Sequence, residues 1–186
     1  TSNVVPDRAF KNVYFYLSPS MKIIDQNNNV SNVAGLSVGN LFAPLMTLGE
    51  DLSGQKFLAL VSSSDTSPVQ LMFVPYTNIP SGSYSFQNTT TSVTNSPIQM
   101  VFADISATQK SIFISTTSEF IRVNVNSVSS PAPYPSTSIT INGLPDLNSS
   151  PVSYLAVYPV YQSGNNTQYL YIGLRDEQII YRVDIT

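Results

Sequence analysis

The feature that most constrains this chain is the way its β-favouring residues are grouped. Val, Ile, Tyr, Phe and Thr gather into runs of roughly five to nine residues, and clusters of Ser, Asn, Pro and Gly separate the runs. No apolar stripe of helical period is visible, and 13 prolines are spread along the sequence, which argues against helices longer than a turn or two. The pattern predicts an all-β fold.

The individual runs predict where the strands lie. They fall at Val13–Leu17, Met21–Asp25, Lys56–Ser62, Val69–Pro75, Ser83–Gln87, Ile98–Ala103, Ser111–Ser115, Glu119–Val125, Ser136–Asn142, Ser153–Tyr161, Gln168–Leu174 and Gln178–Ile185. The best candidate for a helix is Leu41–Glu50.

We expect a single domain over residues 11–186, built as an antiparallel β-sandwich of the immunoglobulin-like or jelly-roll-like kind. A chain of 186 residues can bury a substantial core in one domain. The Pro-rich segment near 128–135 is interpreted as a crossover within this domain, and a domain boundary at about residue 130 is the other interpretation. Residues 1–10 form a separate N-terminal arm.

An internal repeat favours an alternative, a small β-propeller with four repeats. The similar segments are KNVYFYL, KFLALVS, KSIFIST and QYLYIGL, which begin at Lys11, Lys56, Lys110 and Gln168 and each lead into a second predicted strand. Any antiparallel β-protein repeats its hairpins, however, and the spacings of 45, 54 and 58 residues between these starts are irregular for blades. The sandwich is therefore the first expectation.

The composition argues against most catalytic chemistry. Neither Cys nor His occurs, which removes Ser-His-Asp and Cys-His sites, disulfides and the ligands that zinc prefers. Asp65-Thr66-Ser67 is similar to an aspartic-protease turn but occurs once, whereas that chemistry needs two carboxylates. Glu50-Asp51 and Asp176-Glu177 are candidate glycosidase acids, but neighbours on a strand face opposite ways. We predict no catalytic residues, no cofactor and no metal site.

Charge is scarce. Charged residues make up 10% of the chain, against about 25% in a typical soluble domain. The net charge is −3 and no Lys/Arg cluster occurs, so no nucleic-acid partner is predicted. No stretch approaches the apolar length of a membrane span. A surface this poor in charge suits self-association, because packing two copies together removes few ions from water.

The N-terminal arm is expected to differ from the rest of the chain. Its apolar residues Val4, Val5, Ala9 and Phe10 are interrupted by Pro6-Asp7-Arg8, and Pro cannot donate a ladder hydrogen bond. Such a segment is too broken for a central position in its own sheet. It is either a flexible terminus or a donor strand that pairs with an open sheet edge on another copy through these apolar residues.

Four N-glycosylation sequons begin at Asn29, Asn88, Asn148 and Asn165, and all four fall in predicted loops. Chance alone gives about four in a chain this rich in Asn, Ser and Thr, so only their placement favours glycosylation. The chain has 11 Tyr and no Trp. A tyrosine-lined sugar-binding face is conceivable, but packing in the core and on the surface is the expected role of these tyrosines.

Taken together, a His-free and Cys-free β-domain rich in Asn, Ser, Thr and Tyr, with a loose N-terminal arm, resembles the extracellular thread and pilus subunits of thermoacidophilic archaea. The resemblance covers the whole chain and is one of composition and architecture. It implies a β-sandwich whose N-terminal strand completes the sheet of the next subunit, with N-glycans coating the filament. Pro6-Asp7-Arg8 departs from this pattern, because a fully buried donor strand should avoid such residues.

We therefore expect a structural subunit of an extracellular filament or surface appendage, serving adhesion or cell–cell contact, that polymerises with copies of itself by donating a strand. The start at Thr1-Ser2-Asn3 fits a mature secreted product and fits a trimmed chain equally well. A monomeric small propeller that binds a ligand or a carbohydrate is the alternative. A capsid or surface-layer component is a second alternative.

Overall fold

The computed structural model describes residues 4–7, 12–17, 20–32, 45–61, 71–76, 87–88, 97–128, 136–158 and 167–186. The regular structure in these ranges consists of 15 β-strands. The prediction of an all-β fold is confirmed. Within the same ranges no helix has the length and apolar character needed to cross a lipid bilayer.

Strands that are consecutive in sequence form four antiparallel sheets. The first sheet contains β1 (Val4–Asp7), β2 (Asn12–Leu17), β3 (Ser20–Ile24) and β4 (Val30–Asn32). The second contains β5 (Leu45–Glu50), β6 (Lys56–Val61), β7 (Leu71–Tyr76) and β8 (Gln87–Asn88). The third contains β9 (Pro97–Ser106), β10 (Gln109–Thr116), β11 (Phe120–Asn124) and β12 (Ser136–Ile139). The fourth contains β13 (Val152–Tyr158), β14 (Tyr169–Leu174) and β15 (Ile180–Asp184).

Each sheet is a simple up-and-down meander, because every strand pairs with the strand next to it in the sequence. The similar segments of the internal repeat fall at the same place in each sheet. KNVYFYL covers β2, KFLALVS covers β6, KSIFIST covers β10 and QYLYIGL covers β14, the second strand each time. The internal repeat of the sequence therefore corresponds to the second strand of each β-meander in the structure.

The core lies between sheets that pack face to face, as the sandwich prediction requires. One cluster joins the second sheet to the third, with Phe57 and Phe73 of the second packed together with Ile112 and Val123 of the third. The ring centroids of Phe57 and Phe73 lie 5.5 Å apart in edge-to-face contact.

A second cluster lies on the opposite face of the third sheet, where Phe113 and Phe120 pack with Leu170 and Ile172 of the fourth sheet. The third sheet is therefore buried on both faces. Because both faces are covered, six successive residues of β10 are buried, and the strand is apolar without simple alternation. Strand β6 shows the same continuous burial.

Neighbouring sheets also meet through their first strands: β1 contacts β5, β5 contacts β9, and β9 contacts β13. Consecutive meanders that stack face to face, with their first strands side by side, are arranged as the blades of a β-propeller are. Face-to-face packing agrees with the sandwich prediction, and the order of strands agrees with the four-repeat alternative.

The helix considered at Leu41–Glu50 is wrong over the part that the structure describes. Leu45–Glu50 is strand β5, and its six residues pair in register with β6. Leu45 and Met46 are both buried. Pairing with an apolar neighbouring strand decides the conformation of such an ambiguous segment, because strand preference depends mainly on tertiary context.

Several other local predictions can be compared with the structure. Val30–Asn32 forms an exposed strand that the sequence patterns did not predict. Val4–Asp7 is the edge strand of the first sheet, in agreement with its exclusion from a central position. The strands on either side of the Pro-rich segment, β11 and β12, pair with each other, and residues 129–135 lie outside the described ranges. Of the predicted strand Ser83–Gln87, only its last residue is described.

Candidate functional site

The fourth sheet has an open side. Among the described residues it contains three strands, whereas each of the other sheets contains four. In those sheets the fourth position is taken by the short strands β4, β8 and β12. No described strand pairs with the outer edge of β15. An edge without a partner among the described residues is one with which another strand can pair through its backbone N–H and C=O groups.

The outer face of the fourth sheet is apolar and exposed. Tyr154 and Tyr158 of β13 are 54% and 65% exposed, and Ile180 of β15 is 64% exposed. Strand alternation turns them away from the third sheet, since Leu155 and Val157 pack against the core cluster. A depression of about 380 Å³ on this side is lined by Tyr154, Ala156, Val157, Tyr158, Tyr171 and Ile180.

Two ring contacts extend this face along β14. The ring centroids of Tyr169 and Tyr171 lie 6.4 Å apart in an edge-to-face arrangement. The guanidinium carbon of Arg182 lies 4.6 Å from the ring centroid of Tyr169, which is a cation–π contact. An exposed patch of aromatic and apolar side chains is typical of an interaction surface. We call the face carrying Tyr154, Tyr158 and Ile180 the tyrosine face.

A cleft of about 500 Å³ lies between the third and fourth sheets, beside the open edge of β15. The residues from Ile139 to Asn142, at and after the end of β12, line it on one side. The residues from Arg182 to Thr186, in and after β15, line it on the other. Phe113 and Arg122 of the third sheet complete the lining together with Leu170 of β14.

Arg122 is the unusual residue of this cleft. It lies opposite Phe113 in the β10–β11 ladder, so it belongs to the face of the third sheet that packs on the fourth. Its Nε donates to Ser111 Oγ at 3.0 Å, and its guanidinium carbon lies 5.7 Å from the Phe113 ring centroid. Its Nη2 is buried and has no hydrogen-bond partner among the described residues. Burial lowers the pKa of Arg122, because it penalises the charged form.

Asp51, one of the acids considered for catalysis, holds a turn in place. The side chain is 1% exposed, and its carboxylate accepts hydrogen bonds from the backbone N–H groups of Ser53, Gln55 and Val128, each at 2.9 Å. Burial works against the charged form, but the hydrogen bonds outweigh it and lower the pKa of Asp51. Its neighbour Glu50 is exposed.

Two of the remaining candidate acids, Asp176 and Glu177, do not line the cleft. They belong to the connection between β14 and β15, in the gap between the predicted strands Gln168–Leu174 and Gln178–Ile185. Asp65-Thr66-Ser67 lies outside the described residues. In the part of the chain that the structure describes, no three potential metal-ligating side chains come together.

The glycosylation candidates are placed as follows. Asn29 and Asn148 are exposed residues between strands, as predicted. Asn88 is corrected from a loop to the last residue of β8, because its backbone pairs with Met72 of β7. Asn165 lies outside the described residues.

Two of the donor-strand candidates are described. Val4 and Val5 belong to β1, where their backbones pair with Phe15 and Tyr14 of β2. Ala9 and Phe10 lie outside the described ranges. The structure therefore places the described part of the arm at the edge of its own sheet.

The sequence analysis raised a tyrosine-lined face only as the less favoured role of the tyrosines, and it missed Arg122. The sequence did carry one usable signal, since Arg122 shares a strand face with Phe120 and is thus a charged residue at a position expected to be apolar. Comparison with known proteins adds no assignment, because no protein-family model, no curated protein and no solved structure matches this chain.

Proposed function

We propose that this chain is a non-enzymatic structural subunit that assembles with copies of itself outside the cell or on its surface, for adhesion or cell–cell contact. The observation that supports this proposal is the open side of the fourth sheet. The edge of β15 and the tyrosine face are both uncovered among the described residues. Charged residues make up only 10% of the chain, so few charged groups lose their hydration when such surfaces pack together.

The proposed contact is a donated strand. Residues 1–10 of one copy add to the open edge of β15 in the next, which satisfies the N–H and C=O groups of that edge. Within its own sheet, β1 pairs with β2 over four residues, and one of them, Pro6, has no N–H to donate. Exchanging this short ladder for one on another copy therefore costs little. Head-to-tail contacts of this kind build open filaments.

Free-energy estimates indicate that burying the tyrosine face is not sufficient by itself for assembly. Fully burying one large apolar side chain stabilises by about 1.5–3 kcal/mol, and Tyr154, Tyr158 and Ile180 are each only a little more than half exposed. Together they supply roughly 3–5 kcal/mol. Association costs at least about 4 kcal/mol in lost translational and rotational freedom. A ladder of backbone hydrogen bonds along β15 must therefore contribute.

Sedimentation velocity and negative-stain electron microscopy test the proposal. The full chain is expected to form filaments, and deleting residues 1–10 is expected to leave monomers or unstable subunits. Ile180→Lys is expected to weaken assembly, because it places a charge on the tyrosine face. Leu52→Lys is the matched control, since Leu52 is 41% exposed in the turn between β5 and β6. Assembly that survives the deletion unchanged would contradict strand donation.

The order of strands favours a second candidate, a monomeric propeller-like protein that binds a ligand. The depression of about 380 Å³ on the tyrosine face carries aromatic rings of the kind on which sugar rings stack. A discrete monomer whose tyrosine fluorescence changes on adding an oligosaccharide would support this candidate. The same titration with Tyr158→Ser should then show a weaker response.

A further inference from the structure

We infer that the cleft beside β15 binds a carboxylate, and that Asp7 of a second copy supplies it when residues 1–10 are donated. The inference rests on the proposed self-assembly and adds a specific ionic contact to it. Its starting point is Arg122, whose buried Nη2 has no hydrogen-bond partner among the described residues. A buried guanidinium group is costly unless it is paired with an anion.

The neighbours of Arg122 leave its charge unbalanced. The described ion pair of the third sheet joins Lys110 and Asp104, with 3.6 Å between Nζ and Oδ2. The polar contact of Arg122 is a neutral one, to the hydroxyl of Ser111. Asp184 also lines the cleft, but its Oδ1 accepts hydrogen bonds from the backbone and the hydroxyl of Thr186. No described carboxylate lies within ion-pair distance of Arg122.

A second polar group between the same sheets lacks partners. Gln168 is 1% exposed, and neither atom of its side-chain amide has a hydrogen-bond partner among the described residues. It stands two residues before Leu170, which lines the cleft, and strand alternation gives both the same face. Ser115 Oγ, on the same face of β10 as Phe113, is a third such group. Polar groups without described partners in one interface point to a polar occupant, because buried polar groups are normally hydrogen-bonded.

The position of the cleft indicates that the occupant is an extended strand. It adjoins β15, the strand whose outer edge is unpaired in the described structure, and it faces the end of β12 in the third sheet. A strand added to β15 would fill the place that β12 holds in its own sheet. Every second side chain of that strand would then point towards the third sheet and Arg122.

Residues 1–10 match this requirement in sequence. Val5, Asp7 and Ala9 alternate along the arm, so a strand that turns them inward presents one carboxylate between two apolar side chains. The lining offers apolar Ile139 and Ile141 near Arg122, and its other charged residues are Arg182 and Asp184 of β15. Pro6-Asp7-Arg8, which argued against a buried donor strand, then has a role. A carboxylate can accept hydrogen bonds from the free Nη2 of Arg122 in this arrangement.

Sedimentation equilibrium of the full chain and its variants tests the inference. Asp7→Asn and Arg122→Gln are each expected to raise the dissociation constant of assembly about tenfold or more, because each leaves one partner of a desolvated pair without its counter-charge. The double variant is expected to be no weaker than either single variant. Arg175→Gln is the matched control. Arg175 is an exposed cation in the turn after β14 and does not line the cleft, so its removal is expected to leave assembly within about twofold.

Folding and assembly are separated by a urea titration of each variant. Arg122→Gln removes a partly buried charge that has no counter-charge among the described residues, so its urea midpoint should be unchanged or higher. If the full chain assembles and Asp7→Asn assembles equally well, the carboxylate contact is refuted while strand donation stands. If the unmodified chain stays monomeric at every concentration, both proposals are refuted.

Discussion

Replacing Asp51 by Asn is expected to destabilise the protein much more than the same change at Asp25, although both residues make the same turn. In each turn the Asp Oδ1 accepts the backbone N–H groups two and four residues ahead. Each turn also has a left-handed residue three positions after the Asp, Asn28 with φ 63° and Gly54 with φ 84°. The local geometry of the two sites is therefore matched.

The difference lies in the second carboxylate oxygen. Asp51 Oδ2 accepts the buried backbone N–H of Val128 at 2.9 Å, which ties the turn of the second sheet to the chain that follows β11. Asp25 Oδ2 accepts the side-chain amide of Asn29 at an exposed site. An Asn at position 51 would turn an NH₂ group towards Val128 N–H in at least one rotamer, and the other rotamer would lose the bonds within the turn. A buried hydrogen bond to a charged group stabilises by about 1.5–3 kcal/mol.

We therefore expect Asp51→Asn to lower the free energy of unfolding by about 2–3 kcal/mol. For a chain of this size, that corresponds to a fall in Tm of about 5–10 °C. Urea unfolding followed by tyrosine fluorescence measures the change, with Asp25→Asn as the matched control. If the free energy of unfolding falls equally and only slightly in the two variants, the hydrogen bond from Val128 to Asp51 contributes nothing and this explanation is refuted.

The wild type and Asp51→Asn also give a test of how the stability of the fold depends on pH. The pKa of Asp51 in the folded protein lies below its ordinary value of 3.8. A group with a depressed pKa stabilises the fold fully above its unfolded pKa, and that contribution is lost as the pH falls through the folded pKa. The stability difference between the wild type and Asp51→Asn is therefore expected to be constant near neutral pH and to shrink below about pH 4.

Two further predictions concern packing and modification. Gly49→Ala is expected to destabilise by about 1–3 kcal/mol in the same urea assay. A Cβ at position 49 would lie 2.5 Å from Phe57 Cζ and 2.7 Å from Phe102 Cδ2, whereas the control Gly173→Ala meets its nearest atom, Tyr154 Cβ, at 3.2 Å. Equal losses of stability in the two variants would show that the rings of Phe57 and Phe102 move aside to admit the methyl group. Peptides of the native protein that contain the exposed Asn29 or Asn148 are expected to carry glycans, and bare peptide masses would exclude glycosylation at these two residues.

The fold class followed from the sequence because β-favouring residues come in separate runs bounded by turn-forming residues, a pattern that is visible without knowing how the strands pair. KSIFIST and QYLYIGL identified β10 and β14 directly, since contiguous β-branched and aromatic residues favour an extended, buried strand. Leu45–Glu50 was misjudged because its pattern fits a short helix or a strand, and only its register with β6 distinguishes them. The strand Val30–Asn32 was missed because an exposed edge strand carries no apolar alternation.

The sequence by itself determined that this chain is all-β, that its strands come as repeated hairpins, and that no imidazole or thiol takes part in its chemistry. Only the tertiary structure decided which faces of those strands are covered. Tyr154 and Phe113 both belong to apolar strands, yet one is 54% exposed and the other is buried, because the third sheet has a neighbour on each face. Sheet stacking joins residues far apart in the chain, so local sequence cannot show that Arg122 lies in a cleft beside an open strand edge.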